Sequence, residues 1–302
     1  MSTASAALTA LQGTTPLTDW GVIRAGGEDA RSFLHGQLTQ DMQGLPPGRA
    51  RLAGYCSAKG RLLASFVVWA DVNGDLLLAC SADLLPAVLK RLSMFVLRAK
   101  CKLSDATAEL PLHGLAGPAV PAGDAWQVVG LGEQRVVLLP TVDGVRRAIV
   151  VGAAPDAPAL DAEAWRWLEA RSGIARVRAV NSEQFVPQMV NWEVVGGVNF
   201  QKGCYPGQEV VARSQYRGTT KRRAYVVQAN APLAAGQDVF AVSDAEQPAG
   251  RVVLAAAPAG LPPAALVELK IAAATEALHA GAAGGPVLRL ATLPYALPTG
   301  DD

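Results

Sequence analysis

Residues 199–218 read N-F-Q-K-G-C-Y-P-G-Q-E-V-V-A-R-S-Q-Y-R-G and place one cysteine, Cys204, ahead of a segment whose apolar residues recur with helical spacing. Pro206 is predicted at the first helical position, where its missing N–H has no cost. Glu209 then falls in the first turn, where the helix dipole favours an acid. Cys204 is therefore expected just before a helix N-terminus.

This setting favours a reactive thiol at Cys204. Lys202 lies two residues before the cysteine and Arg213 about two turns after it. Both positive charges, together with a helix N-terminus, stabilise a thiolate over a thiol. Gly203 and Gly207 allow another group to approach the sulfur closely. A thiolate acts as a nucleophile or a metal ligand; the alternative is a small buried hydrophobe in a turn.

Composition limits the class of protein. The chain has 302 residues, half of them hydrophobic, enough for one large domain or about two or three smaller ones. Its 27 Lys and Arg residues nearly balance 26 Asp and Glu residues, so no overall charge attracts nucleic acid or a membrane. Four cysteines and three histidines form no C-x-x-C or H-x-x-x-H pair. Reduced thiols and no metal site are expected.

Targeting signals are not evident. The N-terminal residues lack the charged region of a signal peptide and the arginines of a transit peptide. The longest apolar run, residues 252–267, is interrupted by prolines and a glycine, which argues against a membrane span. A cytoplasmic location is expected.

The order of the predicted elements indicates an α+β fold. Residues 1–16 look frayed, and a helix is expected from Ala30 to Leu38. Strands follow over residues 49–80, with a hairpin at Asn73-Gly74, and then a helix that Asp83 could cap. Short strands come next, up to residue 151. Because strands and helices do not alternate regularly, antiparallel sheets are predicted rather than a doubly wound fold.

The pattern in the second half of the sequence predicts one more helix and a barrel. Asp161 can cap a helix that Gly173 stops. Trp165 and Trp167 cannot share one face of this helix, so one of them is expected to line something other than the core. Residues 222–302 read as short strands separated by Gly and Pro, which is typical of a small antiparallel β-barrel.

Several motifs carry a family resemblance. K-G-C-Y-P-G-Q-E, from Lys202 to Glu209, resembles the K-G-C-[FY]-x-G-Q-E signature of the folate-binding YgfZ family, which is related to a mitochondrial iron–sulfur assembly factor and to the glycine cleavage T-protein. Residues 33–41, F-L-H-G-Q-L-T-Q-D, and 56–61, C-S-A-K-G-R, resemble two further elements of that family. E-Q-F-V-P-Q at 183–188 and L-P-Y-A-L at 293–297 are also similar.

The resemblance implies a T-protein-like ring of three domains, with the signature facing a central opening that binds tetrahydrofolate or another reduced folate. The expected domains are residues 1–46 plus 155–221, which bind folate and carry the signature, residues 47–154, and the barrel of 222–302.

The resemblance also implies the site residues. Two family tryptophans placed against the folate fall on Trp20 and Trp165, and an indole is a suitable surface for a flat pterin. Cys204 and Lys202 are the expected catalytic pair. The expected folate-binding residues are Trp20, Trp165, Gly203, Tyr205, Gly207, Gln208, Glu209 and Arg213.

Three functions are compatible with these features. The first is a tetrahydrofolate-binding accessory protein that supports iron–sulfur enzymes or assembly proteins, with tRNA as an indirect partner. The second is a folate-dependent aminomethyltransferase, although the G-Y-T-G-E element of T-proteins is absent and Asp41 is the nearest acid. The third is an RNA- or protein-binding module that uses a basic run without acids: Arg213, Arg217, Lys221, Arg222 and Arg223. Whether the chain is an enzyme stays open.

Overall fold

The computed structural model describes residues 11–216 and 220–298. Within them the chain forms two five-stranded antiparallel sheets and a closed six-stranded barrel. The first sheet has the order β3-β4-β5-β2-β6. Its strands are β2 (Trp20–Gly26), β3 (Ala50–Cys56), β4 (Leu62–Ala70), β5 (Leu76–Ser81) and β6 (Lys102–Asp105).

The second sheet has the order β1-β7-β10-β9-β8. Its strands are β1 (Gly13–Pro16), β7 (Leu112–Ala116), β8 (Val128–Leu131), β9 (Gln134–Val142) and β10 (Val145–Val151). The described α-helices are α1 (Ala30–His35), α2 (Leu85–Ser93), α3 (Ala162–Arg171) and α4 (Gln208–Tyr216). None of these helices has the length and apolarity needed to cross a bilayer.

The barrel closes in the order β11-β14-β13-β12-β15-β16. Its strands are β11 (Arg222–Ala229), β12 (Asp238–Ala241), β13 (Gly250–Ala256), β14 (Ala264–Lys270), β15 (Leu278–Ala280) and β16 (Val287–Leu290). Strand β14 pairs with both β11 and β13, and the alanine-rich residues Ile271–Thr275 that follow it form a 3₁₀ helix. The α+β class with antiparallel sheets and a small C-terminal barrel is therefore confirmed.

The sequence correctly predicted one hairpin turn and both ends of one helix. The Asn73-Gly74 hairpin joins β4 and β5, with Gly74 at a φ of 88°. Asp161 caps α3, since its carboxylate accepts a hydrogen bond from the Glu163 N–H at 3.1 Å. Gly173 follows the last turn of that helix with a φ of 68°, a left-handed conformation that ends the helix and in which a side chain would be strained.

Three local predictions are wrong. Helix α1 stops at His35 instead of Leu38, because Thr39 already donates its N–H to Gly54 of β3. Asp83 does not cap α2; its carboxylate accepts from the backbone N–H of Ala179 at 3.2 Å. Residues 13–16 are not frayed but form β1, which pairs with β7. Residues 1–10 lie outside the described part of the chain.

The strand pairing joins segments that the predicted division separates. Strand β2, in the segment 1–46, pairs with β5, in the segment 47–154, and β1 pairs with β7 in the same way. The segment 47–154 also contributes to both sheets. Its strands β3–β6 lie in the first sheet and its strands β7–β10 in the second. The division into domains stays a prediction.

Side chains with backbone partners dock the barrel onto the rest of the fold. Trp167 of α3 donates its indole N–H to the carbonyl of Pro262 at 2.9 Å. Asn181 donates to the carbonyl of Val253 at 3.0 Å. Asn191 donates to the carbonyl of Ala224 at 2.8 Å. These bonds fix α3 and the segment after it against the barrel wall.

The C-terminal tail returns from the barrel to the end of α3. The Tyr295 hydroxyl donates to the carbonyl of Gly173 at 2.6 Å and accepts from the Asn191 amide at 3.2 Å. A side chain on Gly173 would collide with the Tyr295 ring. Burial raises the pKa of Tyr295 to about 12. The motif at residues 293–297 therefore binds the end of α3 through the Tyr295 hydroxyl.

Replacing Tyr295 by Phe should lower the free energy of unfolding by about 1–2 kcal/mol, because two hydrogen bonds are lost while the ring is kept. Urea unfolding of both proteins measures this difference. Tyr216→Phe is the matched control, since this tyrosine is 77% exposed, and should leave the free energy unchanged. Equal effects of the two substitutions would contradict a stabilising role of the Tyr295 hydroxyl.

Candidate functional site

A narrow cavity lies between the two sheets, helix α3 and the segment that follows the helix. Its volume is about 40 Å³, and it opens to solvent. Five of its lining residues are aromatic: Trp20, Phe66, Trp126, Trp165 and Trp192. Four of the six tryptophans of the chain are thus gathered at one place.

Each tryptophan reaches the cavity from a different element. Trp165 comes from α3, where it packs on Gly114 of β7 so closely that a Cβ on this glycine would lie 2.6 Å from the indole. Trp167 faces the barrel instead, so the two indoles point to different surroundings, as predicted. Trp126 and Trp192 lie in connecting segments, and no local sequence signal identified them.

The cavity wall contains hydrogen-bond donors that lack partners. The indole nitrogens of Trp20, Trp165 and Trp192 are buried and have no hydrogen-bond partner among the described residues. A buried donor left unpaired costs about 1–3 kcal/mol, and native proteins rarely leave one without water or a ligand. Three tryptophans that line the cavity therefore have indole nitrogens without a partner within the described residues.

Buried charges form another part of the wall. The Arg176 guanidinium binds Asp19 at 2.7 Å and Glu169 at 3.2 Å, and it lies 4.7 Å from the centroid of the Trp20 ring. Burial raises the pKa of Glu169, with Arg176 opposing the shift. Burial lowers the pKa of Arg147 to about 10. Arg147 donates to the carbonyl of Pro140 at 3.0 Å, and no described carboxylate forms a salt bridge with it.

The signature segment ends in helix α4. Glu209 lies in its first turn, as predicted. Pro206 is not the first helical residue, however, because the helix begins at Gln208 and Gly207 has a φ of 78°. A Cβ on Gly207 would lie 2.3 Å from the carbonyl oxygen of Ser57. The close approach of the 56–61 turn, which is a tertiary contact, sets this left-handed conformation.

Three of the similar motifs meet at the signature loop. Lys202 donates from Nζ to the carbonyls of His35 and Leu38, the latter at 2.9 Å. These bonds join the signature to the motif of residues 33–41. Gly60 of the 56–61 turn packs against Gly207 and Val210. The motif of residues 183–188 joins the cluster through Gln188, which donates to the carbonyl of Val211 in α4 at 2.8 Å.

Cys204 is exposed on this motif cluster, and charged groups lie beside it. Burial lowers the pKa of Lys202 to about 8, while Asp41 and Cys204 oppose the shift. The Lys202 ammonium also lies 4.7 Å from the centroid of the Tyr205 ring. His35 Nδ1 and Asp41 Oδ1 are 2.9 Å apart. The thiol thus lies near the Lys202 ammonium, and His35 lies near Gly203 of the same loop.

Comparison with known proteins identifies the family. No protein-family model matches the chain. The tRNA-modifying protein YgfZ of Serratia proteamaculans is 31% identical over 234 residues, which are 71% of this chain and 70% of that protein. The protein of the same name from Photobacterium profundum is 32% identical over 228 residues, which are 70% and 68% of the two chains. The chain belongs to the YgfZ family.

A solved structure supports the same relationship at the level of fold. The glycine cleavage system aminomethyltransferase T from Bartonella henselae superposes with a TM-score of 0.62 at 15% identity, covering 96% of this chain and 89% of the other. The T-protein-like architecture that the motifs implied is therefore confirmed. At this identity the superposition concerns the fold alone.

The structure divides the predicted YgfZ site residues between two places. Trp20 and Trp165 line the cavity. The remaining predicted residues belong to the signature segment and are not among those that line it: Lys202, Gly203, Cys204, Tyr205, Gly207, Gln208, Glu209 and Arg213. Glu169, Arg176 and Arg147 do line the cavity, although the sequence did not mark them. The roles of all these residues stay predictions.

The predicted basic run is not a continuous free surface. Arg222 binds Glu268, with Nη2 and Oε2 2.9 Å apart, and Arg223 binds Glu193. Both acids come from distant parts of the chain, so the absence of acids within the run was misleading. Arg217 lies outside the described residues. Among these residues, no group of three or more His, Cys, Asp or Glu side chains is arranged to hold a metal ion.

The lowered pKa of Lys202 predicts a pH dependence of stability. Between about pH 8 and pH 10.4, the value of an ordinary lysine, the unfolded chain holds a proton that the folded chain has released. The free energy of unfolding should therefore rise with pH in this window. Measured by urea unfolding, the difference between the wild type and Lys202→Gln should grow in favour of the wild type. A difference in the free energy of unfolding that does not change with pH would contradict the lowered pKa of Lys202.

Proposed function

We propose that this YgfZ family member is a tetrahydrofolate-binding accessory protein that supports iron–sulfur enzymes, including those that modify tRNA. The name of its relatives, tRNA-modifying protein, supports the link to tRNA. A fold shared with an aminomethyltransferase T supports a one-carbon cofactor such as a reduced folate. A cytoplasmic location is part of this proposal.

The cavity with unpaired indole donors is the observation on which the folate proposal rests. Ligand sites commonly have largely apolar walls with a few polar groups, and this cavity has such a wall. Indoles can stack on or enclose a pterin ring, and their free N–H groups can donate to its ring nitrogens and carbonyl. Because the cavity is narrow, side chains would move when a ring system enters.

The buried charges suit the two ends of such a ligand. The Glu169 carboxylate can accept hydrogen bonds from the N–H groups on the pyrimidine edge of a pterin. Arg147, a buried cation without a described carboxylate partner, can receive a carbonyl or carboxylate oxygen. Both residues line the cavity, so the wall offers an acceptor and a donor in addition to the indoles.

The position of Cys204 supports action on a partner protein. The thiol is exposed and is not among the residues that line the cavity. A large partner, such as an iron–sulfur enzyme or assembly protein, can reach an exposed thiol that a molecule enclosed in the cavity does not contact. In this proposal Cys204 is the reactive thiol, and Lys202 supplies positive charge beside it.

The aminomethyltransferase alternative has less support. It needs a carboxylate that is free to act near the folate. Glu169, in the cavity wall, is bound to Arg176. Asp41 is hydrogen-bonded to His35 and is not among the residues that line the cavity.

Tetrahydrofolate should quench the intrinsic tryptophan fluorescence with a saturable dependence on its concentration. Trp20→Phe and Trp165→Phe should each raise the Kd about three- to tenfold, because an aromatic contact contributes about 0.5–1.5 kcal/mol beyond its buried area. The Kd is compared, and not the amplitude, since each variant also removes a fluorophore.

Trp69→Phe is the control for folate binding. Trp69 is buried in β4 and does not line the cavity, so its replacement should leave the Kd unchanged. Non-saturable quenching, or the same Kd in all variants, would refute folate binding at this cavity.

Replacing Cys204 by Ala should abolish support of cluster-dependent tRNA methylthiolation in cells that contain only the variant. The free energy of unfolding should stay within about 0.5 kcal/mol of the wild type, because the thiol is exposed. Mass spectrometry of digested tRNA measures the modification. Cys101→Ala, at a half-buried cysteine away from the signature, should retain it. Normal methylthiolation with Cys204→Ala would remove the thiol from the proposed function.

A further inference from the structure

The end of helix α2 and the loop that leads to β6, residues 90–100, expose large apolar side chains. Met94 is 66% exposed, Phe95 46% and Leu97 87%. Among the large apolar side chains of the described residues, that of Leu97 has the greatest exposed fraction. Single exposed apolar residues are ordinary on a protein surface, whereas a group of neighbouring ones marks a site of interaction.

Leu97 is held outward in an unfavourable backbone conformation. Its φ is 44°, in the left-handed region that glycine and asparagine adopt more readily than leucine. It occupies the second position of a four-residue turn, in which the Ala99 N–H donates to the carbonyl of Val96 at 2.8 Å. Leu97 thus combines two features that disfavour the folded state, backbone strain and an apolar side chain in water. Strain of this kind clusters at functional sites.

Contacts on both sides of Leu97 anchor the backbone of this segment. Val96 and Ala99 pack against the hydrophobic core. The Lys100 N–H donates to the Asp29 carboxylate at 2.8 Å, and the Lys100 carbonyl accepts the Asp29 N–H at 3.2 Å. The exposed side chains are therefore presented by an anchored backbone, so that a partner binds them with little loss of conformational entropy.

Positive charge accompanies the apolar side chains. The segment carries Lys90, Arg91, Arg98 and Lys100, all of them exposed, and the chain has no Asp or Glu from residue 84 to 104. In the part of the chain that the structure describes, Lys100 alone among these four forms a salt bridge. Because the whole chain has a net charge of only +1, this is a local concentration of positive charge. It favours a partner with an acidic surface.

The segment is linked to the signature loop through two residues. Burial raises the pKa of the Tyr55 phenol and the Arg91 charge opposes this rise, so the guanidinium lies close to Tyr55. Tyr55 pairs with Leu38, whose carbonyl accepts a hydrogen bond from the Lys202 ammonium at 2.9 Å. Lys202 lies two residues before Cys204. The segment and the loop that carries the thiol therefore border the same part of the first sheet.

We propose that residues 90–100 dock the iron–sulfur client protein, whose matching surface is an apolar pocket with a rim of Asp and Glu side chains; this inference rests on the proposed function. Met94, Phe95 and Leu97 enter the pocket, and Arg98 pairs with the rim. Aromatic residues, Met and Arg are the residue types enriched in protein interfaces.

Other occupants suit this surface less well. A second copy of the chain on the same surface would bring the four cations of each copy together, and like charges repel. RNA is bound by cations and by aromatic side chains that stack on bases. Here the most exposed side chain, that of Leu97, is aliphatic and cannot stack.

The docking surface is tested by the affinity for a purified iron–sulfur methylthiotransferase that acts on tRNA, measured by biolayer interferometry with the full-length chain. Leu97→Asn should raise the Kd about tenfold, as expected for a central apolar contact. Asn suits the left-handed conformation, so the midpoint of urea unfolding should stay equal or rise. A residue needed only for the fold would lower this midpoint. Arg98→Gln should raise the Kd about threefold and weaken its dependence on salt.

Val242→Asn and Arg289→Gln are the matched controls, at exposed positions of the barrel, and should leave the Kd unchanged. Wild-type affinity in Leu97→Asn, or no saturable binding by the wild type, would overturn the proposal. So would sedimentation with vesicles of equal parts phosphatidylcholine and phosphatidylglycerol that Leu97→Asn abolishes, since this would assign the surface to lipid. Binding of tRNA that Arg98→Gln weakens and Leu97→Asn leaves unchanged would assign it to nucleic acid instead.

Failure of the docking surface and failure of the proposed function give different results. Leu97→Asn should keep the Kd for tetrahydrofolate and lower tRNA methylthiolation in cells. If Cys204→Ala abolishes methylthiolation and Leu97→Asn leaves it normal, docking at this segment is refuted while the proposed function stands. If Cys204→Ala leaves methylthiolation normal and the Kd for the methylthiotransferase still depends on Leu97, the role of the thiol is refuted while the docking surface stands.

Discussion

The buried guanidinium of Arg176 connects the parts of the fold that form the cavity. It binds Asp19, directly before β2 of the first sheet, and Glu169 of α3, and its face covers the Trp20 ring. Removing one partner of a buried ion pair leaves an uncompensated charge, which typically costs about 3–5 kcal/mol. This network therefore holds the first sheet and α3 at the separation that leaves space between the tryptophans.

A second set of contacts positions the thiol independently of the cavity. The Lys202 ammonium is bound to the end of α1, and Gly207 fits against the 56–61 turn without space for a side chain. These contacts present Cys204 to solvent while the indoles stay enclosed. In our proposal the separation has a purpose, because the folate is shielded inside the fold and the thiol is offered to a partner protein.

The sequence predicted most of the local structure and only part of the site. Hydrophobic periodicity identified the strands and helices, and Asp161, Gly173 and Asn73-Gly74 marked turns whose geometry depends on those residues alone. The N-terminal strand was missed, since its pairing with β7 is formed by a segment about a hundred residues away. Trp126, Trp192 and Glu169 were missed for a similar reason: no local pattern marks a residue that becomes important only after distant elements pack together.

The sequence by itself determined the α+β class, the barrel, the family and the presence of a cysteine in a constrained loop, because these depend on periodicity, turn residues and contiguous motifs. Tertiary structure alone decided that the cavity and the thiol lie at different places and that Arg222 and Arg223 have carboxylate partners. It also brought His35 beside Gly203. Those outcomes depend on distances between residues far apart in the chain, and such distances exist only once the chain has folded.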